Sequence, residues 1–208
     1  MANPEPQLEA VLSRIRNPRN WADVKTIFQV IQSNPSLRGF VYGYVAEMEF
    51  ERHYLKARKG IEGFSKDDDH HKTKSDRTVT FKGKPISIQV KSVQTNSIRF
   101  DGGRFMARVQ NDASDRRRVT LPNQTKVETT CYVVGEYDIL AVSLQPFTGK
   151  WRFAFKENSK LQRTTSGKYT AEQQRYLLAT LETIHFPLDA SWTEDFDAIL
   201  EVVHRQKH

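Results

Sequence analysis

The chain has 208 residues and a mass of 24.1 kDa, which is enough for one domain with a hydrophobic core. Its 12 Phe, 7 Tyr and 3 Trp argue against wholesale disorder, and the absence of a signal-peptide pattern or of an apolar run near ~18 residues leads us to expect a soluble cytoplasmic protein. The single cysteine, Cys131, excludes an intrachain disulfide and a thiolate zinc site built from one chain.

The first part of the chain is predicted to be helical. Apolar residues recur at intervals of three and four through residues 1–36, and the pair Asn34 and Pro35 is typical of a helix end. A second helix is predicted over residues 37–58, where an apolar stripe continues to Leu55. Residues 63–75 are polar and are predicted to form a loop.

After Asp76 the pattern changes from helical to alternating. Val79 and Phe81 mark one strand, residues 86–90 mark a second, and residues 82–85 supply a turn. The sequence therefore predicts a β-hairpin.

The remaining elements are predicted from shorter signals. They are a strand over 104–109, an irregular basic segment over 111–123, a short helix over 124–134, strands over 138–144 and 151–155, and helices over 171–184 and 193–204. Together they predict an α/β sandwich with a central mixed sheet of about five strands flanked by helices. We expect one domain over residues 1–208, with a helical N-terminal extension (1–36), a core (37–156) and C-terminal helices (157–208).

Positive charge is concentrated in the middle of the chain. Residues 52–126 carry 18 basic and 8 acidic side chains, net +10, whereas residues 1–51 are net −1 and residues 127–208 are net −2. A local excess of this size is typical of a surface for a polyanion, and nucleic acid is the first candidate. The candidate DNA contacts are Lys72, Lys74, Arg77, Arg116, Arg117 and Arg118.

One group of polar residues is placed for chemistry. Gln89 and Lys91 alternate with Ile88 and Val90, so both polar side chains project from the same face of the second hairpin strand. Asp76 lies at the start of the first strand, and pairing through the turn brings it beside the later part of the second. We therefore expect Asp76, Gln89 and Lys91 to converge.

This combination suits phosphodiester hydrolysis. Asp76 and the Gln89 carbonyl oxygen are ligands for Mg²⁺, which prefers oxygen, and Mn²⁺ would substitute. Lys91 would orient or help to deprotonate the attacking water and stabilise the pentavalent state. A further carboxylate is available on the preceding helix from Glu47, Glu49 or Glu51; on a helical wheel Glu51 lies nearest the apolar stripe, Glu47 next, and Glu49 points away.

These residues resemble the PD-(D/E)xK nuclease superfamily of restriction enzymes, Holliday-junction resolvases and repair nucleases. The resemblance covers residues 39–155 and rests on the acidic helix segment GYVAE ending at Glu47, on Asp76, and on Gln89-Val90-Lys91. Glutamine in the third position is similar to the Mrr-like and modification-dependent branches. The resemblance implies a restriction-endonuclease-like sandwich and favours Glu47 as the helical carboxylate, with Glu51 second.

We therefore expect a Mg²⁺-dependent DNA endonuclease of a restriction system, with Asp76, Gln89, Lys91 and Glu47 in the active site and Asp76, Gln89 and Glu47 on the metal. Cleavage of both strands needs two active sites, so a homodimer formed through the terminal helices on double-stranded DNA is expected. Three alternatives stay open: a nuclease-fold DNA-binding protein without catalysis, a junction-resolving or repair nuclease, and a structural protein whose charge serves solubility.

Overall fold

A computed structural model of the chain describes residues 17, 19, 22–56, 58–66 and 75–207. The chain divides into two compact units, Met1–Tyr42 and Gly43–His208. Within the described ranges, no helix is both long and apolar enough to cross a membrane.

Within the described ranges, the first α-helix is α1 (Val24–Ser33). Asp23 caps it, because the Asp23 carboxylate accepts a hydrogen bond from Thr26 N at 2.9 Å. Asn34 ends α1 and its side chain accepts a hydrogen bond from Leu37 N at 3.0 Å, so it also caps the next helix. The predicted helix and its end at Asn34 are confirmed here, whereas predicted helical residues 1–16 lie outside the described ranges.

Helix α2 (Pro35–Phe50) follows at once, with proline at a first-turn position that needs no N–H donor. It continues as one π-helical segment, Glu51–Leu55. The helix predicted over residues 37–58 is therefore confirmed, although it ends at Leu55.

The second unit is built mainly from strands and three further helices. The strands described within it are β1 (Ile61–Lys66), β2 (Arg77–Phe81), β3 (Lys84–Ser92), β4 (Arg99–Asp101), β5 (Arg104–Gln110), β6 (Asp112–Thr120), β7 (Lys126–Cys131), β8 (Ile139–Ser143), β9 (Phe153–Glu157) and β10 (Leu181–Phe186). The helices are α3 (Gln145–Thr148), α4 (Ala171–Gln174) and α5 (Phe196–Gln206).

The central sheet has five strands in the order β1-β2-β3-β8-β9. Strands β3 and β8 are parallel, and the other neighbours are antiparallel. The predicted hairpin is confirmed as β2–β3, with a two-residue turn in which Lys82 (φ 49°) and Gly83 (φ 74°) adopt the left-handed conformation of a tight hairpin turn. The mixed α/β fold class with a five-stranded mixed sheet is confirmed.

The central sheet separates two hydrophobic clusters. On one face Ile88 and Val90 pack with Phe50 from the end of α2 and with Phe196 from α5. On the other face Leu140 and Val142 pack with residues of a second sheet, whose order is β10-β5-β4. Ile88 and Val90 are therefore buried on one face of β3 while Gln89 and Lys91 lie on the other, and this alternation fixes its register.

Several predicted elements are wrong, and each error replaces a helix or loop by a strand. Residues 61–66 form the edge strand β1, residues 112–120 and 126–131 form the ribbon β6–β7, and residues 181–186 form β10. The helix capped by Thr170 ends at Gln174 instead of reaching residue 184. Strand pairing decides these segments, and the local periodicity of each segment does not reveal it.

The predicted third strand over 104–109 exists as β5, but it belongs to the second sheet. Strands β8 and β9 confirm the predicted pair, and α5 confirms the last predicted helix.

Phe50 anchors α2 against the sheet. It is fully buried, and its ring centroid lies 5.2 Å from that of Phe153 and 5.6 Å from that of Phe196. We expect Phe50→Ala to lower the free energy of unfolding by about 3–5 kcal/mol, because it opens a cavity in an aromatic cluster. Urea denaturation measures this, with Met48→Ala as the control because Met48 is 59% exposed on the same helix. Equal effects of the two substitutions would contradict the packing described here.

Candidate functional site

Asp76 stands at the open end of the β2–β3 hairpin and is held against β3 by three hydrogen bonds. Its backbone N–H donates to Ile88 O at 3.0 Å. Its Oδ2 accepts from Val90 N at 2.7 Å and from Gln89 Nε2 at 2.8 Å. The structure therefore brings Asp76 and Gln89 together, as the hairpin register predicts.

Lys91 extends the same face of β3 toward its carboxyl end. Gln89 is 3% exposed, whereas Lys91 is half-buried and lies opposite Val142 on the parallel strand β8. Alternation explains the arrangement, because Ile88 and Val90 face the hydrophobic cluster on the other side of the sheet.

Glu47 reaches the same region from α2. Burial, which has the largest effect, and the negative charge of Asp76 raise its pKa, the positive charges of Arg77, Lys91 and Lys66 lower it, and the net change is from 4.5 to about 7. These charges act on Glu47 through space. Glu47, Asp76 and Lys91 thus form one electrostatic cluster with Gln89.

A buried arginine joins the helix to the hairpin. Arg77 is 3% exposed and donates from Nη1 to Asp76 O at 2.6 Å. The same Nη1 lies 3.4 Å from Glu47 Oε2, and Arg77 Nε lies 3.3 Å from Glu51 Oε2. The expectation that Arg77 is a surface residue contacting DNA is wrong, because its guanidinium is enclosed between the two glutamates and the backbone of Asp76.

The structure distinguishes the three helical glutamates. Hydrogen bonding to Lys56 is the largest effect that lowers the pKa of Glu51, so Glu51 is oriented toward the end of the π-helical segment. Glu49 pairs with Arg52 and His53. Asp76 and Lys91 both affect the pKa of Glu47, so Glu47 stays the predicted helical carboxylate of the site.

Two residues near the site are missed by the sequence reasoning. Lys66, at the end of β1, pairs in register with Arg77 and acts electrostatically on Glu47. Tyr132 is buried, and burial followed by the negative charge of Asp76 raises its pKa well above 10. The alternation of β2 would indicate that Arg77 points inward, but no local signal marks Lys66 or Tyr132.

Of the other predicted DNA contacts, some are exposed, one is internal, and two lie outside the described residues. Arg116 and Arg118 are exposed on the β6–β7 ribbon, with Arg118 3.2 Å from Glu128. Arg117 is half-buried and pairs with Glu136 while its guanidinium lies 5.6 Å from the ring centroid of Tyr132, so it is an internal contact. Lys72 and Lys74 lie outside the described residues.

The side chains around Asp76 are the possible ligands of the predicted Mg²⁺. Among the described residues no three His, Cys, Asp or Glu side chains form a group that could hold a metal ion. The cluster instead offers the carboxylates of Asp76 and Glu47 and the Gln89 amide, which fits a hard cation that completes its shell with water and substrate phosphate. The Gln89 amide nitrogen donates to Asp76. The Gln89 amide oxygen would therefore bind an ion held by Asp76 only after the side-chain amide flips.

Comparison with known proteins gives no family assignment. No family model matches the chain, and no curated protein matches it. A solved structure of a bacterial homing endonuclease, I-Ssp6803I, is similar to 80% of this chain and 95% of its own, with 18% sequence identity and a TM-score of 0.42. At this level of similarity the function has to be argued from the site itself.

Glu47 makes the stability of the protein depend on pH. Its folded-state pKa of about 7 exceeds the ordinary 4.5, so the folded state favours the protonated form, and this contribution is full below about pH 4.5 and lost as pH rises through 7. As pH rises from 5 to 8, we expect the free energy of unfolding of Glu47→Gln to increase by about 2 kcal/mol relative to that of the wild type. Urea denaturation in EDTA measures this difference. The surface variant Glu128→Gln should follow the pH dependence of the wild type. If Glu47→Gln also follows it, the raised pKa assigned to Glu47 is contradicted.

Arg77 is expected to act through stability. Arg77→Met leaves two partly buried glutamates without their shared cation and should lower the free energy of unfolding by about 3–5 kcal/mol. Arg118→Met, which removes an exposed pair, should cost less than about 1 kcal/mol. Thermal denaturation of both variants tests this. If Arg77→Met is as stable as the wild type, the internal role of the Arg77 guanidinium is contradicted.

Proposed function

We propose that the protein is a metal-dependent DNA endonuclease of restriction-enzyme type, which hydrolyses phosphodiester bonds. The observation that supports this most strongly is the cluster of Asp76, Gln89, Glu47 and Lys91. Asp76 and Gln89 are hydrogen-bonded at the open end of a hairpin whose strands are paired on both sides, Arg77 joins Asp76 to Glu47, and the charges of Asp76 and Lys91 both act on Glu47. Strongly shifted acids beside a cationic group are typical of functional sites.

In this proposal Asp76, Glu47 and Gln89 hold Mg²⁺, and Mn²⁺ substitutes for it. When bound, the ion would polarise the scissile phosphate and lower the pKa of water. The raised pKa of Glu47 supports this role, because a cation held by Asp76 and Glu47 would offset both the burial and the negative charge of Asp76 that favour the protonated form.

Lys91 is the proposed catalytic cation. Its ammonium group donates hydrogen bonds, so it can orient the attacking water and offset the negative charge on the oxygens of the pentavalent transition state. Its position on a central strand limits its freedom, and this lowers the entropic cost of holding water and phosphate in line.

Double-stranded DNA is the proposed substrate, and a homodimer is the proposed active form. The net charge of +10 over residues 52–126 supports a polyanionic partner. A two-fold dimer formed through the terminal helices would present one active site to each strand of a duplex.

Plasmid cleavage tests the proposal. Wild-type protein should nick or linearise supercoiled DNA in Mg²⁺ or Mn²⁺ and stop when EDTA is added, and Lys91→Ala should lose at least about 100-fold in cleavage rate, the scale expected for a group that stabilises transition-state charge. Lys82→Ala is the matched control, because Lys82 lies in the turn at the opposite end of the same hairpin.

Three results would redirect the proposal. Cleavage by Lys91→Ala at the wild-type rate would remove the catalytic assignment. Salt-sensitive DNA binding without metal-dependent cleavage would identify an inactive nuclease-fold protein. Strong preference for a four-way junction over duplex would identify a junction-resolving enzyme.

A further inference from the structure

Three exposed arginines share one face of the second sheet. Arg104 and Arg108 are four residues apart on β5 and project to the same side, and Arg99 on β4 pairs in register with Met106 between them. We call the surface formed by Arg99, Arg104 and Arg108 the arginine face. None of the three was predicted as a DNA contact.

The opposite face of the same sheet is part of the hydrophobic core. Ala107 and Val109 alternate with the arginines and are fully buried, as is Ile184 on the neighbouring strand β10. This packing fixes the backbone beneath the arginine face. The hairpin β4–β5 is closed by Gly102 and Gly103, whose φ values of 55° and 81° suit a tight two-residue turn.

The charge of the arginine face is not neutralised within the described part of the chain. The guanidinium groups of Arg104 and Arg108 make no hydrogen bond and no ion pair with a described residue. In contrast, Arg117 and Arg152 are each paired with a glutamate. Arg99 donates to the carbonyl oxygens of Asn96 and Ile98, so its charge is oriented but unpaired with any acid.

The sheet that carries the arginine face is joined through its backbone to the chain that follows β3. Past the end of β3 at Ser92, Val93 forms a bridge to Val109, and Gln94 N donates to Arg108 O at 2.8 Å. Lys91 and Val93 are two residues apart, roughly 7 Å along a strand. A molecule held at Lys91 therefore lies close to the sheet that carries the arginines.

We infer that the arginine face binds the phosphate backbone of duplex DNA, an inference that rests on the proposed function. Arg104 and Arg108 are separated by roughly 13 Å along the strand, comparable with the ~12 Å width of the major groove. Guanidinium groups bind phosphate through paired hydrogen bonds, and a rigid sheet keeps them in position. On β4 and β5 the arginine face carries three arginines and one acidic residue, Asp101, which lies opposite Arg104. Its net charge is therefore positive, which complements a polyanion.

Binding of a fluorescein-labelled 30-base-pair duplex tests the inference. Fluorescence anisotropy in EDTA separates binding from cleavage, and full-length wild type is compared with Arg104→Ala/Arg108→Ala. We expect at least a tenfold weaker affinity at moderate salt and a salt dependence of log K reduced by about 2, since each lost phosphate contact removes about 0.9. Arg104→Lys/Arg108→Lys should keep the salt dependence.

The control is Arg175→Ala/Arg205→Ala, which removes the same charge from exposed positions elsewhere. Wild-type affinity in Arg104→Ala/Arg108→Ala, or an equal loss in the control, would overturn the inference, and so would a wild type that binds no duplex. A wild type that binds duplex but cuts no DNA in Mg²⁺ would remove the nuclease proposal alone, and the loss expected for Arg104→Ala/Arg108→Ala would then support the arginine face by itself.

Discussion

The register of one hairpin places the candidate site. Asp76 Oδ2 accepts hydrogen bonds from Val90 N and Gln89 Nε2, so its carboxylate is fixed to the strand that carries Lys91. A slip of one residue in β3 would turn Gln89 and Lys91 toward the hydrophobic cluster and Ile88 toward the site. The two clusters on either side of the sheet oppose such a slip, so core packing and active-site geometry depend on the same pairing.

Arg77 holds two acidic side chains, Glu47 and Glu51, near each other without a bound metal ion. Two glutamates of α2 and its π-helical extension share this one buried guanidinium, and its bond to Asp76 O ties the helix to the hairpin. Arg77 lowers the pKa of Glu47, but burial and Asp76 outweigh it and the pKa remains near 7. The positive charge of the middle of the chain therefore has two uses, because Arg77 and Arg117 act inside the protein whereas Arg104 and Arg108 face solvent.

Sequence reasoning was most successful where structure is local. Alternation around a two-residue turn predicted the β2–β3 hairpin, and from it the meeting of Asp76 and Gln89. It was wrong for β10, because its partner β5 lies more than seventy residues earlier and no local period reveals that pairing. It was also wrong for β7, although β7 pairs with the directly preceding strand β6. Arg77 was misplaced for a related reason: its partner Glu47 is 30 residues away, and a count of charges treats every arginine as exposed.

The proposed function depends on Asp76, Glu47 and Gln89 forming one site for a divalent cation. Electron paramagnetic resonance of Mn²⁺ titrated with protein measures this without DNA or catalysis. We expect wild type to bind Mn²⁺ and the isosteric Asp76→Asn protein, folded to the same extent, to bind it at least tenfold more weakly. Equal Mn²⁺ affinity of the two proteins would contradict it.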